Sequence, residues 1–119
     1  MNEEQFKERT KKLALRVIRL TEALPKTGAA RVIARQLLRS GTSIGANYRA
    51  ACRARSKADI VSKLGLVEEE ADETLYWLEL LVESNLLPKQ KLQSLIKETD
   101  EIVSMVVASI KTLRKNHAG

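Results

Sequence analysis

Histidine and cysteine occur once each in this chain, as His117 and Cys52, and Phe6, Tyr48, Tyr76 and Trp77 are its only aromatic residues. A single cysteine excludes an intrachain disulfide and suits a reducing compartment. One Cys and one His do not make a zinc site. With so few aromatics, any core is aliphatic. Two prolines and five glycines in 119 residues leave room for few turns, and few turns in a chain rich in Ala, Leu, Glu, Lys and Arg mean long helices. No window approaches the eighteen or so uninterrupted apolar residues of a membrane span. The N-terminal stretch Met-Asn-Glu-Glu-Gln-Phe-Lys-Glu-Arg has acidic residues and no apolar run, so it does not read as a signal peptide. A cytoplasmic protein is expected.

Charge of either sign is plentiful but unevenly spread. Residues 1–60 hold 14 Lys/Arg against 5 Asp/Glu, and residues 61–119 hold 7 against 10. The net charge of +6 therefore hides a basic first half and a mildly acidic second half. The basic half can face an acidic partner, or the halves can neutralise each other within a bundle or between subunits.

Four amphipathic segments follow from the spacing of apolar residues. Phe6, Leu13, Val17, Leu20 and Leu24, with Thr10 and Thr21, predict a helix over about 3–24, stopped at Pro25-Lys-Thr-Gly28. A second helix is expected over about 28–53, with Thr27 as its cap. Ala30, Ile33, Ala34, Leu37, Gly41, Ile44, Tyr48, Ala51 and Cys52 share one face of it. Gly41 and Gly45 each cost about 1 kcal/mol relative to Ala inside a helix, so a break at Ser40–Thr42 is the alternative. The apolar phase is unchanged across both glycines, which favours continuity. Ser56 and Asp59 have capping-box spacing and open a third helix, about 57–84, with a seam at Val61, Leu64, Val67, Ala71, Leu75, Leu78 and Val82. Asn85 suits its end. Pro88 opens a fourth helix, about 88–114, carrying Leu92, Leu95, Ile96, Thr99, Ile102, Val103, Val106, Ile110 and Leu113. Residues 115–119 are expected to fray. Four helices of similar length with short connections predict one all-α domain, an antiparallel up-down-up-down four-helix bundle over 1–119.

No catalytic constellation emerges. His117 lies on the terminal tail, and general acid–base work needs a positioned group. Ser40, Thr42 and Ser43 lack a nearby base to activate a hydroxyl. Gly41-x-x-x-Gly45 follows no strand and is not followed by Lys-Ser/Thr, so it is no phosphate loop. The acidic run Glu68-Glu69-Glu70-Ala71-Asp72-Glu73 lacks the Glu-x-x-His pairs of di-metal bundles. It reads as a solvated face or as partners for the basic half, with Glu70 or Glu73 partly buried against Arg or Ser of the second helix. No enzyme activity, cofactor or metal is expected.

The distinctive surface is a row of arginines on the second helix. With Arg31 as zero, Arg35 lies at about 40°, Arg39 at about 80°, Arg49 at about 0° and Arg53 at about 40°. Thr42 and Ala46 lie between them. Five guanidiniums along roughly 33 Å of helix suit a series of phosphates, each offering a bidentate fork. With aromatics scarce, such contact would be to phosphate and shape, not to base edges. The competing reading is a solvent face, or ion pairs with the acidic third helix of this or a neighbouring subunit. A flanking stripe of Gln36, Ser40, Ser43 and Asn47 allows close helix approach, and Asn47 is expected to have a specific partner. Apolar residues off the seams, at Leu66, Leu80-Leu81-Val82, Leu86-Leu87 and Val106-Val107, argue for a homo-oligomer.

The segments Ser40-Gly41-Thr42-Ser43-Ile44-Gly45-Ala46-Asn47-Tyr48-Arg49-Ala50-Ala51, Ser56-Lys57-Ala58-Asp59 and Glu70-Ala71-Asp72-Glu73-Thr74-Leu75-Tyr76-Trp77-Leu78-Glu79-Leu80-Leu81 resemble a known family in the same order. It is the bacterial four-helix-bundle family related to the proteins encoded by intervening sequences within 23S ribosomal RNA genes. The resemblance covers most of the chain. It implies the bundle and, through distant relatives that serve as accessory proteins of diversity-generating retroelements, a closed pentameric ring. Those relatives act with reverse transcriptase and RNA, but the chain resembles the intervening-sequence branch more closely, so the retroelement role does not carry over. The combined expectation is a non-catalytic oligomer that binds RNA or DNA phosphates through Arg31, Arg35, Arg39, Arg49 and Arg53. The alternative is a protein-interaction scaffold whose basic and acidic helices pair between subunits.

Overall fold

The structure is a computed structural model that describes residues 2–118, the last two by their backbone alone. Four helices follow one another: α1 (Glu3–Ala23), α2 (Gly28–Cys52), α3 (Lys57–Glu83) and α4 (Lys89–Ala118). They form an antiparallel bundle 51 Å long and 21 Å across. Each packs chiefly on its neighbour in sequence, and α1 meets α4 far more sparsely than it meets α2.

Each boundary has a chemical reason. Asn2 caps α1 by accepting from the backbone N–H of Gln5 at 3.1 Å, and Ser56 caps α3 by accepting from that of Asp59 at 3.1 Å. Thr27 precedes α2 but makes no side-chain cap, a departure from its expected role. Gly28 has φ 57°, which admits glycine at no steric cost. Asn85 takes φ 60° after α3, where the Leu86 N–H reaches the Leu81 carbonyl (3.1 Å) and the Asn85 N–H reaches that of Val82 (3.1 Å). That is a Schellman closure with asparagine in the left-handed position.

α2 runs unbroken through Gly41 and Gly45. Both glycines serve the packing of α2 on α1: a Cβ on Gly41 would meet the methyl groups of Val17, and one on Gly45 the hydroxyl of Thr10. The aliphatic core runs the length of the bundle, from Phe6, Ile44, Tyr48 and Leu64 to Leu24, Ile33, Leu81 and Leu92. Phe6 and Tyr48 contribute a tilted ring pair with centroids 4.5 Å apart.

Three expectations need correction. The buried line of α3 passes through Thr74 and Leu81, leaving Leu75 and Val82 only partly covered. Thr74 is completely buried, its hydroxyl satisfied by the Glu70 carbonyl at 2.8 Å and by Ser40 Oγ of α2 at 2.9 Å. α4 continues to Ala118 instead of fraying after Arg114, and residue 119 lies outside the described residues, as does the His117 side chain. Leu80, Val82, Leu86 and Leu87 are not surplus, since they pack against the core. The large apolar side chains that stay exposed are Leu15, Val32, Leu38, Leu66 and Tyr76.

Candidate nucleic-acid interface

α2 holds Arg31, Arg35, Arg39 and Arg49 within its span and no carboxylate, and Arg53 caps its C-terminus. Helical periodicity turns all five away from the core, and all are exposed. They are not equivalent. Arg31, Arg35, Arg49 and Arg53 enter no ion pair among the described residues, whereas Arg39, farthest round the stripe, leans onto α3. Its two terminal nitrogens reach Glu70 Oε2 at 3.0 Å and Glu73 Oε1 at 2.5 Å. Hydrogen bonding to Glu73 and then Glu70 holds the Arg39 guanidinium above its ordinary value. Arg39 holds the Glu73 carboxyl below the usual range, helped by the Trp77 indole N–H, which donates to Glu73 at 3.2 Å. Arg39 is thus engaged within the molecule, and the other four arginines form the accessible row.

The flanking polar stripe is used locally. Ser43 donates to the Arg39 carbonyl (2.6 Å) and Asn47 to the Ser43 carbonyl (2.9 Å), so Asn47 bonds its own helix and not a distant partner. Gln36 accepts from Arg39 Nε at 3.5 Å. Ser40 alone reaches across to α3.

Beside the stripe, small residues on α2 open a groove against α1. Thr42, Gly45, Ala46 and Arg49 face Thr10, Lys7, Lys11 and Glu8 across a space of about 460 Å³. Its charge is mixed, because Glu4 and Glu8 line it as well and Lys7 sits 3.5 Å from Glu4 and 3.6 Å from Glu3.

The seam between α1 and α4 is closed by long basic side chains. Arg9 grips Glu98 with two hydrogen bonds of 2.6 and 2.9 Å, approaches Glu101 at 3.6 Å and lays a third nitrogen on Met105 Sδ. The pair holds the Glu98 carboxyl below its ordinary range, chiefly by that hydrogen bonding. Two turns farther along α1, Arg16 donates to Ser94 Oγ at 3.1 Å. Sequence reasoning missed Arg16, Arg19 and Lys91 as one group, because α1 and α4 meet only in the folded chain.

At the opposite end, Cys52 lies beside Tyr48 and Glu3 around a small opening of about 240 Å³. Burial, then the neighbouring Glu3, pushes its thiol up, so the thiolate is disfavoured at neutral pH. Among the described residues, no three or more His, Cys, Asp and Glu side chains converge as a metal ion would require. No described helix is long and apolar enough to cross a membrane.

The molecule is thus an antiparallel helical bundle in which α2, alone among the four helices, carries no carboxylate and displays a row of exposed guanidiniums. The sequence pattern of the 23S rRNA-intervening sequence protein family matches residues 2–108, and the chain belongs to that family. A solved structure from Bacteroides thetaiotaomicron VPI-5482, described as a protein of unknown function from the S23 ribosomal protein family, superposes with a TM-score of 0.84. It is 35% identical, over 93% of this chain and 99% of that one. None of the curated proteins matches the sequence.

Proposed function

We propose that this protein is a non-catalytic nucleic-acid-binding homo-oligomer that holds RNA or DNA phosphates through Arg31, Arg35, Arg49 and Arg53. The observation that carries this reading is that α2 has no carboxylate of its own, and these four side chains stand exposed and enter no ion pair among the described residues. Guanidinium forks match phosphate oxygens in geometry and charge. The row offers nothing to distinguish bases, so binding is to backbone and shape. Arg39 is left out of this set because Glu70 and Glu73 of α3 already take its charge.

The salt dependence of binding tests this. On single strands log K should fall with log salt by about 0.7 per phosphate neutralised, and on duplex DNA by about 0.9. Arg35→Gln with Arg49→Gln should weaken binding to unrelated sequences alike and flatten the slope by about one to two units. Salt-independent binding, or binding indifferent to the double substitution, would remove the phosphate reading.

A second reading is a scaffold in which α2 of one copy meets α3 of the next. It is favoured by apolar side chains exposed within each charged face: Val32 and Leu38 among the arginines, and Leu66 and Tyr76 among Glu69, Asp72 and Glu79. Opposite charge around small apolar contacts suits a head-to-tail interface, which closes into a ring when the rotation permits. A ring of five is the form that the resemblance to retroelement accessory proteins favours. Under this reading the same double substitution would dissociate the oligomer in sedimentation equilibrium and leave no nucleic-acid affinity to lose.

A further inference from the structure

The α1–α4 seam holds a second basic surface, distinct from the row on α2. Arg16 and Arg19 of α1 and Lys91 of α4 surround a cleft of about 320 Å³ whose remaining lining is Leu20, Leu92 and Leu95. Three cations thus rim a floor of aliphatic side chains, of which Leu92 and Leu95 belong to the buried core. No carboxylate lines it. The contrast with the α1–α2 groove is chemical, because there Glu4 and Glu8 offset the cations.

The acidic groups along the two helices lie outside the cleft, and Glu98, which also feels the charge of Arg16, is bound chiefly by Arg9. Glu98, one turn beyond Ser94, is gripped by Arg9 through two hydrogen bonds, and Glu22, one turn beyond Arg19, lies outside the lining. Arg16 does not hang free, since its bond to Ser94 Oγ at 3.1 Å fixes one end of the fork and leaves further N–H donors for a ligand. An apolar floor lowers the local dielectric and strengthens attraction for an anion above it. Lys91 lies in the first turn of α4, which contains no acidic residue, so the helix adds positive potential of its own.

Position completes the argument. In an antiparallel bundle the C-terminal end of α1 and the N-terminal ends of α2 and α4 share one end of the molecule. Arg31 and Arg35 therefore stand at the same end as Arg16, Arg19 and Lys91, with α1 between the two sets. The outer face of α1 between them carries the exposed Leu15, Arg19 and Glu22, while Lys11 lies nearer the other end, in the groove with Arg49. The bundle is 21 Å across, and a strand following a duplex rise of about 3.4 Å per phosphate places several phosphates over that width.

We infer that the α1–α4 cleft is a second phosphate-binding site, through which a nucleic-acid strand held by Arg31 and Arg35 continues across α1. This rests on the nucleic-acid reading above and names further residues for it. The experiment compares three variants with the unmodified protein on a labelled oligouridylate over a salt series: Arg16→Gln with Arg19→Gln, Lys91→Gln alone, and Arg31→Gln with Arg35→Gln. Circular dichroism checks the fold, and the exposed Lys91 supplies a variant outside the buried core. Each double variant should flatten the salt slope by about 1.4 units, and Lys91→Gln by about 0.7. If only the α2 variant flattens it, the cleft assignment is overturned and the stripe stands. If only the cleft variants flatten it, the cleft is supported and the stripe reading falls. Absence of affinity in the unmodified protein overturns both. A titration with inorganic pyrophosphate, followed at the Ser94 amide by NMR, separates the two sources of phosphate. Displacement of pyrophosphate by the oligonucleotide supports the nucleic-acid assignment. Saturation of the cleft by pyrophosphate that the oligonucleotide cannot displace overturns it.

Discussion

Gly41 of α2 lies against Val17 of α1 so closely that a Cβ at position 41 would stand 2.9 Å from both Val17 methyl carbons. Both residues are buried, and Val17 is wholly shielded from solvent. Close approach of two helices here requires the absence of a side chain on one of them. The conformational cost of glycine inside α2 is offset by the packing it permits.

Gly41→Ala is therefore expected to destabilise the protein, although alanine is the better helix former. Overpacking costs about 1–3 kcal/mol, and about 1 kcal/mol of helix propensity is regained, so the net loss should be up to about 2 kcal/mol. Gly45→Ala, whose Cβ would meet the Thr10 hydroxyl at 3.1 Å, should be nearly neutral because the contact is looser. Urea unfolding of both variants decides this, and Val17→Ala should rescue Gly41→Ala in a double-mutant cycle. Equal effects at the two glycines would refute the steric account.

The Arg9–Glu98 pair should make stability depend on pH in one direction. The folded Glu98 carboxyl is held below its ordinary value of 4.5, by hydrogen bonding to Arg9 above all. The stabilisation is thus fully present above that value and disappears as pH falls through the lowered folded value. Glu98→Gln should cost about 1 kcal/mol at neutral pH, consistent with a partly exposed pair. In acid the variant and the unmodified protein should converge. A gap of constant size in urea titrations at both pH values would show that Glu98 acts by packing and not by charge.

Cys52 should alkylate slowly. Burial first, then Glu3, raises its thiol above the ordinary value, so less thiolate is present at neutral pH than in the unfolded chain. Iodoacetamide should modify the native protein more slowly than the urea-unfolded one, and Glu3→Gln should speed the native reaction by removing the neighbouring negative charge. A native rate matching the unfolded rate would contradict this.

Much of the bundle could be read from periodicity, because each helix shows its buried face in its own sequence. The breaks fell where Pro25, Gly28, Ser56, Asn85 and Pro88 place them. The errors came where one helix depends on another. Spacing draws the seam through Leu75, whereas Thr74 is the buried residue, its hydroxyl bonded to the Glu70 carbonyl of its own helix and to Ser40 on α2. Arg39 could not be separated from its four neighbours by charge, yet its place farthest round the stripe is what sets it above Glu70 and Glu73. Asn47 seemed to await a partner because its capacity to bond its own backbone at Ser43 has no signature in spacing. The cleft of Arg16, Arg19 and Lys91 lies on the one seam that joins the first helix to the last, so no local window contains it.

The sparse contact between α1 and α4 also governs how the chain finds its shape. Nearly all tertiary packing joins helices adjacent in sequence, so each docking step closes a tight turn and forfeits little chain entropy. Low contact order of this kind belongs to folding in microseconds to milliseconds. The clasp of Arg9 on Glu98 requires α1 and α4 to be positioned already through α2 and α3, which makes it a late event on the pathway. Removing it should quicken unfolding and leave the refolding rate almost unchanged.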